Sequence, residues 1–312
     1  MKKKLTIFGG SGFLGKSFID CFTRGYLDKF NICELNLVSR SAATKFKFKE
    51  GSKVKSFNYD FSTNEGLLPD ETDLIISAVD HANHDFYDNG FNNDKIIENV
   101  ISITQKKYNS CPSLYISSGA VYGEQDEFVG FDESFDNPNY VNFSNKKKQY
   151  ALNKHKFEKA YKQISNINSK NVIARCFTFI GENVPLDQHF AIGNFYKSVI
   201  NNEKILINSK LNIFRSYMDA IDWVEWLMTI FINNKLEFDI FNIGSDEKIE
   251  IENLAKIFKE LFDVNFIRVN GKSKINDIYL PNVNKVKNMY KLDYEKNLKK
   301  LVFNNFKNLK TK

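Results

Sequence analysis

A cluster of glycines stands near the start of the chain, between a short apolar run and an amphipathic stretch. Leu5-Thr6-Ile7-Phe8 leads into Gly9-Gly10-Ser11-Gly12-Phe13-Leu14-Gly15, and Phe13, Leu14, Phe18, Ile19 and Phe22 then recur at helical spacing. Gly9, Gly12 and Gly15 have the spacing G-x-x-G-x-x-G. Glycines there let the chain turn tightly, bring backbone N–H groups close to a diphosphate, and let a helix pack on its strand. The helix N-terminus adds the partial positive charge that an anion needs. Such glycines can also form a plain flexible turn. The strand before and the helix after decide for a nucleotide-binding βα unit.

The chain beyond repeats that pattern. Short apolar runs stand at Leu35–Val38, Val54–Phe57, Leu74–Val79, Leu114–Ile116 and Val172–Phe177, with helical periodicity at Ile96–Thr104 and at 147–164. Buried strands joined by crossover helices make a doubly wound parallel sheet, the Rossmann arrangement, in an α/β fold. Residues 1–178 read as the dinucleotide-binding domain, with 211–245 returning to it. Residues 179–210 and 246–312 read as a smaller mixed α/β lobe for substrate. Within the later chain, helices are expected at 192–201, 219–232 (capped by Asp219 or Asp222) and around Leu254–Leu261, with a strand at Phe241–Gly244. The end from Lys291, rich in lysine and asparagine, reads as a solvated, fraying helix.

Composition narrows the class. A chain of 312 residues, 42% hydrophobic and 26% charged, has material for a real core and is no disordered or disulfide-stapled chain. A net charge of +6 admits an anionic small molecule but does not argue for nucleic acid. Cys21, Cys33, Cys111 and Cys176 have no metal-site spacing and fit a reducing cytoplasm. Lys2-Lys3-Lys4 before Leu5–Phe8 imitates a secretory leader, but Gly9 ends the apolar run too soon. No run reaches the roughly 18 apolar residues of a membrane span. The protein reads as soluble and cytoplasmic, with no membrane or metal partner.

Residues that carry chemistry follow the strand ends. The second strand closes in Ser39-Arg40-Ser41 where an acidic residue would hold a ribose 2′-hydroxyl, so a 2′-phosphate fits better. NADP(H) is therefore preferred and NAD(H) remains possible. Asp60 and Phe61, after the third strand, stand where an adenine would be met. Tyr150 and Lys154 lie four apart on one helix face, so an ammonium can favour the phenolate of a side chain whose ordinary pKa is about 10. Ser117 and Ser118 close the strand at Leu114–Ile116; a hydroxyl there can bind the oxygen that Tyr150 protonates, or merely cap a turn.

Taken in order, Gly9/Gly12/Gly15, Ser117-Ser118-x-x-Val121-Tyr122-Gly123, Tyr150/Lys154 and Arg175-Cys176-Phe177-Thr178-Phe179-Ile180-Gly181 resemble the extended short-chain dehydrogenase/reductases. More narrowly they are similar to the NAD-dependent epimerase/dehydratase branch, which acts on nucleotide sugars. Arg215–Asp219 and Phe241–Ser245 agree with that branch. The resemblance implies Ser118, Tyr150 and Lys154 as catalytic residues. It implies Gly9, Gly12, Phe13, Leu14, Ser39, Arg40, Asp60, Phe61, Ala78, Val79, Lys154 and Phe177 at the cofactor. Ser118, Thr178, His189, Asn194 and Arg215 would meet the nucleotide sugar, and a homodimer would form through helices at 94–107 and 147–164.

Departures from the pattern favour one reaction. Dehydratases of the branch place an Asp–Glu pair after the catalytic hydroxyl; Gly119-Ala120 can neither donate nor accept that proton. Thr178 replaces a usual Asn, and Ser77–Asp80 lacks the usual strand-end pattern. Ser39-Arg40 and the stretch Pro185–Phe195, which resembles deoxysugar reductases, lead to an NADPH-dependent 4-ketoreductase of a nucleotide-activated sugar. The alternatives are a 4-epimerase with tightly bound NAD and, from another class, a non-catalytic NADP-binding regulator. His81 and His84 with Asp80 and Asp85 read as a surface or substrate-lining loop rather than a metal site.

Overall fold

The computed structural model describes residues 1–79, 93–109, 111–166, 169–187 and 190–310. The strands are β1 (Lys3–Phe8), β2 (Ile32–Ser39), β3 (Val54–Asp60), β4 (Glu65–Gly66), β5 (Leu74–Ser77), β6 (Ser113–Ser118), β7 (Asn171–Cys176), β8 (Phe179–Ile180), β9 (Ile205–Ile207), β10 (Asn212–Ser216), β11 (Met218–Asp219), β12 (Phe238–Ile243), β13 (Lys248–Glu250), β14 (Phe266–Arg268) and β15 (Asn276–Tyr279). The helices are α1 (Phe13–Thr23), α2 (Ala42–Lys45), α3 (Asp94–Lys106), α4 (Asn145–Gln163), α5 (Ala191–Ile200), α6 (Ala220–Asn233), α7 (Ile251–Phe262), α8 (Asn284–Tyr290) and α9 (Leu298–Lys310). Two compact units result, one of Met1–Val121, Phe143–Cys176 and Val224–Phe241, the other of Tyr122–Asn142, Phe177–Trp223 and Asn242–Lys312.

The first unit holds the large sheet, in the order β12-β7-β6-β5-β1-β2-β3-β4. From β7 across to β3 every pair is parallel, and only β4 runs antiparallel to β3. The chain leaves β1 for β2 and β3 on one side, then crosses to β5, β6 and β7 on the other. Such a reversal opens a crevice at the carboxyl ends of the central strands. β6 and β7 are buried along their whole length, with apolar centres at Leu114–Ile116 and Val172–Ala174 and polar residues toward their ends. Tyr115 of β6 stacks on Phe157 and Tyr161 of α4, with ring centroids 4.8 and 5.3 Å away, and seats that helix on the sheet. α4 starts at Asn145, slightly before the expected 147, because Ser144 Oγ caps it by accepting the Lys147 N–H.

The second unit contains the sheet β13-β10-β15 and the pairs β8–β11 and β9–β14. Residues 122–142 and 211–223 belong here, not with the dinucleotide-binding part as the sequence led us to expect. Hydrogen bonds that leave no periodic trace hold the first of these segments: Tyr122 donates to Asn242 Oδ1 at 2.8 Å, and Gln125 Oε1 accepts from Leu280 N at 3.0 Å. Asp219 rather than Asp222 caps the start of α6, through the Ile221 N–H.

The chain end corrects a second expectation. α9 is docked rather than solvated: it buries Leu301, Val302 and Phe306, and Tyr196 donates a hydrogen bond to the Val302 carbonyl at 3.0 Å. Phe306 lies 4.5 Å from Phe262 and 5.6 Å from Tyr196. The apolar positions are few among lysines and asparagines, so composition masks the stripe. Phe306→Ala should therefore cost about 3 kcal/mol in a denaturant titration; a loss below about 0.5 kcal/mol would mean that the helix is not docked.

Candidate active site

The carboxyl ends of β1, β2, β3, β5 and β6 lie along one edge of the parallel sheet, and most of the expected cofactor residues follow them. Gly9 has φ +83°, and a Cβ there would stand 2.6 Å from the Ala78 carbonyl oxygen. A Cβ on Gly15 would meet the Gly10 carbonyl oxygen at 1.9 Å, so α1 can approach its loop only because residue 15 is glycine. Gly12 differs from both. Its φ is −85°, which any residue adopts, and a Cβ would meet nothing nearer than the Gly9 carbonyl oxygen at 3.8 Å. Neither backbone nor packing requires glycine there. What it leaves is open room at the N-terminus of α1, where Gly12 supplies no side-chain cap.

Ser39 ends β2, buried, and accepts the Ser41 N–H at 3.4 Å, while Arg40 is exposed. Asp60 ends β3 and accepts the Ser62 hydroxyl and N–H at 2.6 and 2.8 Å. Partial burial opposes its ionisation, but the Ser62 bonds and the nearby Arg40 prevail and hold the carboxyl below its ordinary range. The Phe61 ring is not at the crevice surface; it is buried 5.0 Å from Phe8 and 5.1 Å from Tyr59. β5 stops at Ser77, short of the expected Val79, so Ala78 and Val79 follow the strand, half-buried, with Ala78 N donating to the Phe8 carbonyl at 2.8 Å.

Tyr150, Lys154 and Ser118 all belong to the first unit. The buried face of α4 carries Lys154 and Glu158 beside Ala151, Phe157 and Tyr161. A buried charge needs partners. Lys154 Nζ donates to the Ile116 carbonyl of β6 at 2.8 Å and stands 5.6 Å from the centroid of the Tyr150 ring and 5.0 Å from that of Tyr115. Ser118 lies two residues after that carbonyl, at the end of β6, and its Oγ accepts the Ala120 N–H at 3.2 Å. Tyr150 is half-buried. A phenol, an ammonium and a hydroxyl thus come from α4 and β6 to one end of the sheet.

Sequence reasoning missed a group behind these three. Glu158 Oε1 accepts from Ser117 Oγ at 2.5 Å and from Arg175 Nε at 3.1 Å, and Oε2 accepts from Arg175 at 2.8 Å. His155 Nε2 lies 3.0 Å from the Val121 carbonyl, and its Nδ1 lies 3.9 Å from Glu158. Burial lowers the imidazole pKa, against the pull of the Glu158 carboxylate. The signal was available: Tyr150, Lys154 and Glu158 are each four residues apart.

The remaining expected residues belong to the second unit. Phe177 is buried, 4.7 Å from the Tyr279 ring, and donates its N–H to the Ile243 carbonyl at 2.9 Å. Thr178 is half-buried and Asn194 exposed on α5. Arg215 is held by Asp277, through both the side-chain carboxylate and the backbone carbonyl, each at 2.8 Å. His189 lies outside the described residues, as do His81 and His84. Among the described residues no three His, Cys, Asp or Glu side chains gather as metal ligands, and the four cysteines form no disulfide.

The sequence profile described as the NAD dependent epimerase/dehydratase family matches residues 5–244. The chain belongs to that family. A curated relative of the epimerase/dehydratase chain is an uncharacterized protein of Schizosaccharomyces pombe, 22% identical over 297 residues, covering 82% of this chain and 80% of the relative. Among solved structures, a Bacillus anthracis dTDP-glucose 4,6-dehydratase in complex with NAD superposes with a TM-score of 0.77 at 14% identity, covering 99% of this chain and 97% of that one. The Thermotoga maritima UDP-glucose 4-epimerase with UDP-glucose gives 0.78 at 13% identity, covering 99% of both chains. At such identities the two structures speak for the fold.

Proposed function

We propose that this epimerase/dehydratase-family protein is an NADPH-dependent reductase of the 4-keto group of a nucleotide-activated (deoxy)sugar. The observation that carries the reading is the turn after Ser118. Gly119 and Ala120 stand where a dehydratase needs an acid and a base, and the Ala120 N–H is bonded to the Ser118 hydroxyl itself. Gly9, Gly12, Phe13 and Leu14 would cradle the diphosphate of the cofactor, Arg40 with Ser39 its 2′-phosphate, and Lys154 its nicotinamide ribose. When bound, the nicotinamide supplies a hydride to the carbonyl carbon. Ser118 polarises the carbonyl oxygen, and Tyr150 gives that oxygen its proton, leaving an alcohol. Lys154, close to the Tyr150 ring, stabilises the phenolate left behind. Thr178, His189, Asn194 and Arg215 are assigned to the nucleotide sugar. The reading carries with it a cytoplasmic homodimer paired through α3 and α4.

Purified protein mixed with NADPH and nucleotide-4-keto-6-deoxysugars should consume reduced nicotinamide, followed by its absorbance. No oxidation with any of them, together with interconversion of a plain nucleotide-hexose pair by protein that retains NAD, would make it a 4-epimerase instead. Arg40→Ala should raise the KM for NADPH by about 10-fold to 100-fold, the worth of charge-assisted bonds to a phosphate, and leave NADH unchanged. Equal effects on the two cofactors would remove the 2′-phosphate from the account.

A further inference from the structure

We propose that Glu158 is a positioning residue, whose buried carboxylate fixes where α4 rests on the sheet and thereby where Tyr150 and Lys154 stand beside Ser118. The inference rests on the reading of those three as the reacting groups. Ser117 and Arg175 are direct partners in the β6–β7 register, so two adjacent strands present their donors to one helical side chain. Glu158 takes three of those donors at once and is buried. The apolar contacts of Tyr115, Phe157 and Tyr161 are non-directional and tolerate sliding or rotation of a helix. Hydrogen bonds to a charged carboxylate do not.

The anchor acts at the reacting end because α4 is rigid. Each four residues of helix advance about 6 Å, so Lys154 stands one turn and Tyr150 two turns beyond Glu158. A slip at Glu158 is delivered undiminished to both. The same turn of α4 also grips the chain on both sides of Ser118, in β6 before it and in the turn after it. Lys154 holds the Ile116 carbonyl, Glu158 holds Ser117, and His155 meets the Val121 carbonyl beyond it. Stability alone does not ask for this arrangement, since apolar residues of similar volume commonly replace a buried ion pair without loss. What they do not reproduce is its single register.

The test uses the full-length protein in three forms: wild type, Glu158→Gln, and the double variant Glu158→Met with Arg175→Met. Tyr150 ionisation is read as the tyrosinate absorbance of each form minus that of the same form carrying Tyr150→Phe. Lys154, 5.6 Å from the centroid of the Tyr150 ring, is left unaltered in every form, and only Glu158 and Arg175 change. The double variant should melt within a few degrees of wild type, yet titrate Tyr150 at least one pH unit higher, because a displaced ammonium no longer favours the phenolate. Its single-turnover hydride transfer at pH 7 should fall at least tenfold, with Glu158→Gln between the two. A double variant that melts, titrates and reacts like wild type overturns the proposal. Should it fail to fold, Ser117→Ala removes one donor and keeps the ion pair; it should move the titration the same way by less, and no movement overturns the proposal. A shifted titration in protein that turns over no nucleotide sugar upholds the positioning and sinks the reductase reading instead.

Discussion

Tyr150→Phe should leave the fold and cofactor binding intact and lower turnover on the order of a thousandfold, the usual worth of a positioned proton donor. The deleted atom is the phenol oxygen; the ring and its place on α4 remain. Ser118 cannot substitute, because an aliphatic hydroxyl is a far weaker acid than a phenol. Cofactor retention is checked by quenching of protein fluorescence on titration with NADPH, and turnover by the reduced-nicotinamide absorbance. Activity within tenfold of wild type would take the proton-donor role away from Tyr150. A regulator that only senses NADP(H) would show no change in either measurement, so the variant also separates a catalyst from a sensor.

The second large effect lies in the glycine loop, where two single-methyl changes should fail in opposite ways. Gly15→Ala drives a Cβ to 1.9 Å from the Gly10 carbonyl oxygen, and backbone must move to admit it. A loss of about 3 kcal/mol is expected from overpacking of that severity, seen as a drop of several degrees in Tm with cofactor affinity falling alongside. Gly12→Ala places its methyl in open room at an ordinary φ. Its Tm should stay within about 1 °C of wild type, since a surface change of this kind is worth at most about 0.5 kcal/mol. Cofactor affinity should nevertheless weaken on the order of tenfold or more, about 1.4 kcal/mol. Wild-type affinity in Gly12→Ala would mean that the diphosphate does not lie against that loop.

Much of the first unit was legible because its information is local. A strand buried on both faces carries an apolar run, as Leu114–Ile116 of β6 and Val172–Ala174 of β7 do, and a glycine loop announces the βα turn that needs it. Two boundaries differ by a few residues: β5 ends at Ser77 rather than Val79, and α4 begins at Asn145 because of the Ser144 cap. The membership of residues 122–142 was not legible, because Asn242 and Leu280 hold it from far along the chain. α9 was misread for a different reason: Leu301, Val302 and Phe306 bury a narrow stripe in a segment whose average composition is polar. Glu158 was passed over because a lone acid on a helix reads as solvated until the strands beside it reveal Ser117 and Arg175.

The order of the large sheet has a consequence for biosynthesis. β12 (Phe238–Ile243) lies outside β7 (Asn171–Cys176), yet emerges from the ribosome more than sixty residues later. At about 5–20 residues per second the interval is several seconds. Throughout it the nascent sheet ends in an unsatisfied row of amides along β7, a template for any other extended polypeptide. The protein is therefore most vulnerable to misassembly midway through translation, and fragments cut short before Phe238 should precipitate where the whole chain does not.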